Sequence, residues 1–147
     1  MDVLYVSSFA VIAAVPAESR KLYLDALGLP LTRHGDDDYF FTEALDGAKH
    51  FGVWPLAQAA EACFGVREWP ADRPTPQACV EFEVATEAGV QAAADELAGR
   101  GHTMIHGAKT EPWGQVVARL QAPEGVIVGI SFAPWLHGEA RADPALA

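Results

Sequence analysis

The apolar positions of the chain follow one order of elements twice. In the first half, residues 3–13 form an apolar run typical of a buried strand, and a helix is predicted to begin at Pro16. Its inward side has the i, i+3, i+4, i+7 spacing of an amphipathic helix. That stripe consists of Ser19, Leu22, Tyr23 and Ala26. Two extended segments follow over residues 39–54, joined by the turn Asp46-Gly47, a strong hairpin signal.

The second half repeats this order from residue 78. Alternation over residues 78–85 predicts a strand, with Val80, Phe82 and Val84 on one side and Cys79, Glu81 and Glu83 on the other. Thr86 is a suitable N-cap for a helix that ends near Gly101. Three more strands are predicted over residues 103–108, 115–121 and 126–132, the last two joined by the turn Pro123-Glu124-Gly125.

Residues 55–77 separate the two halves. A short helix is predicted near residues 56–63, but prolines at 70, 74 and 76 rule out a continuous helix or a central strand, so this segment is a connector. We therefore predict an α+β fold with two βαβββ modules, residues 3–54 and 78–133, in one domain spanning residues 1–147 with a tail from 134. One module cannot bury its apolar sheet face alone, so the two form a half-barrel-like curved sheet around a central cavity.

Composition narrows the classes of partner. The chain has 147 residues, half of them apolar, and a formal charge of −10. A net negative charge repels phosphate, so no nucleic-acid partner is expected. The apolar N-terminal stretch has no basic residue before Arg20 and is too short to span a bilayer, so we interpret it as a strand in a cytoplasmic protein with no membrane partner. Two cysteines, Cys63 and Cys79, do not make a disulfide framework and are expected to be reduced.

Four motifs in order resemble the vicinal oxygen chelate superfamily, which includes glyoxalase I, the bleomycin-resistance proteins and extradiol dioxygenases. Residues 20–29 (RKLYLDALGL) resemble the family's "FYRDVLGL" helix end, and 82–84 (FEV) resemble the opening of its second module. Residues 111–114 (EPWG) and 122–126 (APEGV) resemble its "EPWG" and "DPDGN" turns. The resemblance covers residues 5 to 133 and implies the same two-module fold.

The resemblance also implies where a metal would bind. Metal-binding members place four ligands, usually His and Glu, on the concave sheet faces. Here the corresponding positions hold Ser8, then Gly52 or Trp54, then Cys79 and Gly129. Zn²⁺, Fe²⁺ and Mn²⁺ need three or four converging imidazole, carboxylate or thiolate ligands, and only Cys79 could serve. We therefore expect no metal and no other cofactor.

Other side chains are candidates for binding an organic ligand. If Val80, Phe82 and Val84 pack on a helix, Glu81 faces the cavity, where it either contacts ligand or pairs with Arg119 across the sheet. Family pockets present aromatic rings at four further positions, and each ring is either a ligand contact or part of the core. These are Tyr39, Phe41, Trp54 and Trp113.

A nucleophilic cysteine and a metal-binding histidine pair are both disfavoured. Cys79 as a nucleophile would need a nearby cation, whereas its strand neighbours are acidic, so an inert thiol is expected. The spacing of His102 and His106 does not make a metal pair on a strand. His34 and His137 are expected to be solvated.

The first hypothesis is a metal-free protein that binds and sequesters a planar or cationic small molecule, an antibiotic or an aromatic metabolite, as in the bleomycin-resistance branch, with no catalytic residue. The resemblance implies a homodimer.

The second hypothesis is a metal-dependent lyase, isomerase or dioxygenase, which would need His50 and carboxylates to converge, such as Glu43, Glu81 or Glu83. The third is a protein-binding domain with a vestigial pocket.

Overall fold

The structure is a computed structural model that describes residues 16–33, 40–42, 44–45, 47 and 56–138. Within these residues, helix α1 (Pro16–Arg20) continues directly as a π-helix (Lys21–Ala26), and α2 (Leu56–Phe64) and α3 (Glu87–Gly99) follow. A 3₁₀ turn (Pro134–His137) comes last. The strands are β1 (Thr32–Arg33), β2 (Phe40–Phe41), β3 (Cys79–Glu83), β4 (Met104–Thr110), β5 (Val116–Gln121) and β6 (Ile127–Phe132).

The second half of the chain folds as β3-α3-β4-β5-β6, the predicted βαβββ order. The four strands form one curved, unclosed sheet in the order β3-β6-β5-β4. Strand β3 is parallel to β6, while β5 is antiparallel to both β6 and β4. The parallel pair requires a crossover, and α3 with the first two hairpin strands supplies it.

Helix α3 begins where the sequence predicted. The Thr86 side chain accepts a hydrogen bond from the Gly89 backbone N–H at 3.1 Å, which satisfies one free donor of the first turn. Val90, Ala94 and Leu97 are buried along its inner side. The helix ends at Gly99, and two residues later Gly101 has the left-handed conformation, with a φ of 89°.

Two hairpins of the same construction join the last three strands. In the β4–β5 turn the Gly114 N–H donates to Glu111 O, and in the β5–β6 turn the Gly125 N–H donates to Ala122 O. Both glycines have φ near +90°, a conformation that other residues adopt at a cost. A proline follows the first residue of each turn, where its fixed φ suits a type I turn. The tips therefore present Trp113 and Glu124 at equivalent positions.

The core lies between the sheet and the helices. Leu22 and Tyr23 of the π-helix, Leu97 of α3 and Val128 and Ile130 of β6 are all less than 10% exposed and belong to one cluster. Each fully buried Leu, Ile or Val contributes about 1.5–3 kcal/mol by leaving water. Val80, Phe82 and Val84 pack against this cluster.

A polar contact joins the first helical segment to the last hairpin. The hydroxyls of Ser19 and Tyr23 donate to the two carboxylate oxygens of Glu124, at 2.7 and 2.6 Å. Burial and the neighbouring carboxylate raise the pKa of Tyr23 above its ordinary value of about 10. The predicted inward side of this helix is confirmed at Ser19, Leu22 and Tyr23, which are buried. The helix is π-helical from Lys21 onward.

The first half is described only in part. The connector helix is confirmed as α2, and β2 is the short observed part of the extended segment predicted from residue 39. Strand β1 was not predicted. The predicted strands at 3–13 and 49–54 lie outside the described residues. No helix in the described part of the chain is long and apolar enough to cross a membrane.

Candidate functional site

One face of the sheet packs against α3 and the π-helix, and the other face carries most of the polar side chains and packs against α2 at one end. Because Val80, Phe82 and Val84 pack toward the helices, Glu81 and Glu83 lie on the opposite face. We call this opposite surface the polar face. It consists of Glu81 and Glu83 on β3, Gly129 and Ser131 on β6, Val117 and Arg119 on β5, and Gln115 just before β5. Cys79, Ile127 and Gln121 continue the same surface toward the end that α2 and the connector cover.

Gly129 makes room at the centre of the polar face. It is the register partner of both Glu81 on β3 and Arg119 on β5. A Cβ atom at this position would lie 2.9 Å from Glu81 Cγ and 3.2 Å from Val117 Cγ2, closer than ordinary contacts allow. The Glu81 side chain thus extends over Gly129 toward Arg119, and its Oε1 lies 3.7 Å from Arg119 Nη2. Of the two roles foreseen for Glu81, the cross-strand pairing is present.

Arg119 is buried in the sheet and neutralised by a buried carboxylate. Its side chain is 1% exposed, and Nη1 donates to Oε1 of Glu111, whose side chain is 3% exposed. Lys109 Nζ lies 3.6 Å from the same Glu111 oxygen. Lys109 also donates to the Ala62 carbonyl at 2.7 Å, which fastens the end of α2 to β4.

His106 borders this ion pair as a neutral ring. Burial lowers its pKa, and the nearby Arg119 charge acts in the same direction. Its Nδ1 lies 2.7 Å from Gly107 O, which can only accept, so Nδ1 carries the proton. Nε2 is then an acceptor 3.5 Å from Arg119 Nη1.

Gln115 links two of the predicted ligand-binding residues. Its Nε2 donates to Glu81 Oε2 at 2.8 Å, and its Oε1 accepts from the indole N–H of Trp113 at 2.9 Å. Gln115 is 7% exposed, whereas Trp113 is half-buried at the hairpin tip. The Gln115 amide therefore links Trp113 directly to Glu81, and Glu81 in turn lies next to Arg119.

Glu83 anchors the 3₁₀ turn at the other end of β3. Its carboxylate accepts from Ser131 Oγ at 2.6 Å and from the Ala133 backbone N–H. His137 Nε2 lies 3.0 Å from Glu83 Oε1, and the His137 ring stacks on Phe132 at 4.6 Å between centroids. His137 is exposed, as expected, and the turn also brings it into contact with Glu83 of β3.

The second-module positions of the family's metal site do not suit a metal ion. Gly129 has no donor, and the space beside it is filled by Glu81. Burial, with the Glu81 charge as a smaller cause, raises the pKa of Cys79 to about 12, so the thiol is protonated at neutral pH. This agrees with the expected inert cysteine. In the part of the chain that the structure describes, no three His, Cys, Asp or Glu side chains converge as metal ligands.

Several predicted site residues fall elsewhere. Phe41 lies in β2, and nothing is described of its side chain. The others lie outside the described residues: Ser8, Tyr39, Gly52 and Trp54, and also Glu43 and His50 of the second hypothesis.

Glu111, Gln115 and His106 were not predicted from the sequence as site residues. The need for a carboxylate such as Glu111 could have been predicted. Arg119 lies in an apolar run, and a buried arginine needs a carboxylate partner. The signal for Gln115 is its period-two spacing with Arg119, which places the two on one face. His106 carried no such signal, since strand β4 is irregular between Met104 and Lys109.

Two open grooves lie away from the polar face. One, of about 470 Å³, runs between α3 and β4, and the other, of about 380 Å³, lies between the connector and the β5–β6 turn. Neither combines a charged pair with an aromatic ring. We therefore take the polar face, where an indole, an amide and a carboxylate converge, as the candidate site.

Comparison with known families identifies the class. The model of the glyoxalase/bleomycin resistance protein/dioxygenase superfamily matches residues 6–130. The chain belongs to this superfamily, as its motifs and its βαβββ module indicated.

Solved structures share the fold at low sequence identity. A glyoxalase-related enzyme from Fulvimarina pelagi is 23% identical, with a TM-score of 0.56 over 88% of this chain and 90% of that one. A protein of unknown function from Agrobacterium tumefaciens is 19% identical (TM-score 0.57; 90% and 97% covered), and a lactoylglutathione lyase from the same species is 15% identical (0.51; 86% and 93%). These likenesses show the fold alone. A comparison with curated proteins gave no match.

Proposed function

We propose that the protein binds and sequesters an aromatic small molecule, an antibiotic or an aromatic metabolite, on its polar face without a divalent metal. The observation that carries this proposal is the state of the two second-module ligand positions. One holds Cys79, and the other holds Gly129, which has no donor and is overlain by Glu81.

The charge next to these positions supports the same proposal. Arg119 faces Gly129 in the sheet register and carries a guanidinium charge. The buried carboxylate beside it, Glu111, is bonded to Arg119 and is therefore not free to ligate a metal ion.

Trp113 supplies the surface for an organic ligand. Its indole N–H is held by Gln115, so the orientation of the half-buried ring is fixed. A flat aromatic face binds planar ligands by stacking and cations by cation–π attraction, with about 0.5–2 kcal/mol for each contact. The net charge of −10 favours the approach of cationic ligands.

Tryptophan-fluorescence titration with planar cationic and quinone-type drugs tests the binding function. We expect saturable quenching, and about 3- to 30-fold weaker binding in Trp113→Ala, in proportion to one lost aromatic contact. The matched control is Trp69→Phe, because Trp69 lies in the connector, where its indole donates to Pro74 O and its ring packs on Phe64. This control should bind as the wild type does.

Two results would contradict the proposal. If no drug in the panel gives saturable quenching, the pocket is vestigial. If Trp113→Ala lowers the free energy of unfolding by as much as it lowers the free energy of binding, the ring serves the core only.

A further inference from the structure

Gln115 holds Glu81 away from a full ion pair with Arg119. A charge-assisted hydrogen bond between an arginine and a carboxylate measures about 2.7–2.9 Å. Glu81 Oε1 stays 3.7 Å from Arg119 Nη2, while its other oxygen accepts from Gln115 at 2.8 Å. The amide thus competes with the guanidinium for this carboxylate.

The other carboxylates on or beside the polar face are already engaged. Glu111 is bonded to Arg119 and is 3% exposed, and both oxygens of Glu83 accept hydrogen bonds from the end of β6 and the residues after it. One third of the Glu81 side chain is exposed, at 33%. The carboxylates Glu81, Glu83 and Glu111 against the cations Arg119 and Lys109 give 2 − 3 = −1. Glu83 is 28% exposed, so both carboxylates present charge at the polar face, and Glu81 is the one that Gln115 links to Trp113.

We propose that Gln115 makes the site selective for planar cations by fixing the Glu81 carboxylate and the Trp113 indole relative to each other. This inference rests on the proposed function and names the chemical class of its ligand. A planar cation stacks on the indole while its charge faces Glu81, and a neutral ring of the same shape gains only the stacking. Without the amide, Glu81 closes onto Arg119, and its charge is no longer available to the ligand.

A pair of probes with equal shape and different charge separates these contributions. N-methylquinolinium carries a permanent positive charge, and 1-methylnaphthalene is its neutral isostere. We expect the wild type to bind the cation at least about 10-fold more tightly, in line with about 1.4 kcal/mol for each tenfold change. In Gln115→Met and in Glu81→Gln this ratio should fall to within about threefold of unity, with binding of the neutral probe nearly unchanged.

Gln121→Met is the matched control. Gln121 is the last residue of β5, the strand that Gln115 precedes. Its amide donates to the Pro74 and Gly125 carbonyls at 2.8 and 3.0 Å. This variant should keep the wild-type ratio. Because Glu81→Gln removes the charge while keeping the amide contact possible, it tests the inference even if Gln115→Met does not fold.

The ratio of the two dissociation constants decides the outcome, since a loss of structure weakens both probes together. Loss of the cation preference in both variants, with the control unchanged, supports the inference. Equal binding of the two probes by the wild type overturns it and leaves the proposed function standing, as does an unaltered ratio in Gln115→Met or Glu81→Gln. If the wild type binds neither probe nor any drug of the wider panel, the proposed function itself is overturned.

Discussion

At the scale of single residues, the Arg119–Glu111 pair has the largest consequence for the site. Both side chains are at least 97% buried, so each has exchanged its hydration for the other. Such a pair adds little net stability compared with apolar residues, but removing one partner leaves a buried charge without compensation. The pair also fixes the position of the Arg119 guanidinium, and Glu81 lies next to that group.

Glu111→Ala is therefore expected to be strongly destabilising. Loss of the carboxylate should lower the free energy of unfolding by about 3–5 kcal/mol, measured by urea denaturation at pH 7. Glu96→Ala is the control, since Glu96 forms an exposed i, i+4 pair with Arg100 at 3.0 Å and should change stability by about 0.5 kcal/mol or less. Similar small effects in the two variants would show that water reaches the Arg119 pair.

At the scale of elements, the sequence predicted the second half of the fold well. Strands β3 to β6 and helix α3 were foreseen because period-two and period-3.6 patterns, the Thr86 cap and the turn glycines all agree there. The π-helical continuation of α1 was not foreseen, since a shift from i−4 to i−5 bonding leaves the apolar stripe almost unchanged. Strand β1 has only two residues, too few for a pattern.

The same contrast applies to the candidate site. The Glu81–Arg119 pairing could be foreseen because each residue is a charge at a fixed position of a predicted strand. The role of Gln115 could not, because it depends on how two side chains, Glu81 and Trp113, converge from different elements. Which side chains of different elements meet is decided in the folded sheet, and local pattern does not encode it.

The contact between the first helical segment and the β5–β6 turn predicts a dependence on alkaline pH. Because the folded state raises the pKa of Tyr23, this phenol contributes stability that is complete below its unfolded pKa of about 10 and is lost as pH rises above it. Tyr23→Phe should be about 1.5–3 kcal/mol less stable than the wild type at pH 8, since it lacks the bond to Glu124. Above about pH 10 the difference should shrink by up to about 1.4 kcal/mol per pH unit.

Urea unfolding of both proteins between pH 8 and 11 measures this difference. All other tyrosines and lysines are shared, so their titration cancels in the comparison. A difference that stays constant across the range would mean that Tyr23 titrates normally in the folded protein.

At the scale of the whole molecule, the protein combines the fold of the glyoxalase/bleomycin resistance protein/dioxygenase superfamily with a polar face in which Arg119 lies across from Gly129. The superfamily uses one scaffold for several chemistries, so the fold alone does not select among them. In this protein the choice among these chemistries depends on the residues at the two second-module ligand positions, Cys79 and Gly129.

The most direct test of this account measures binding with and without metal. Protein purified without a chelator is analysed for Zn, Fe, Mn and Ni, and a planar cationic drug that quenches its tryptophan fluorescence is then titrated before and after treatment with EDTA. We predict no stoichiometric metal and the same dissociation constant, within about twofold, in both titrations. Stoichiometric metal together with loss of binding after its removal would contradict the account.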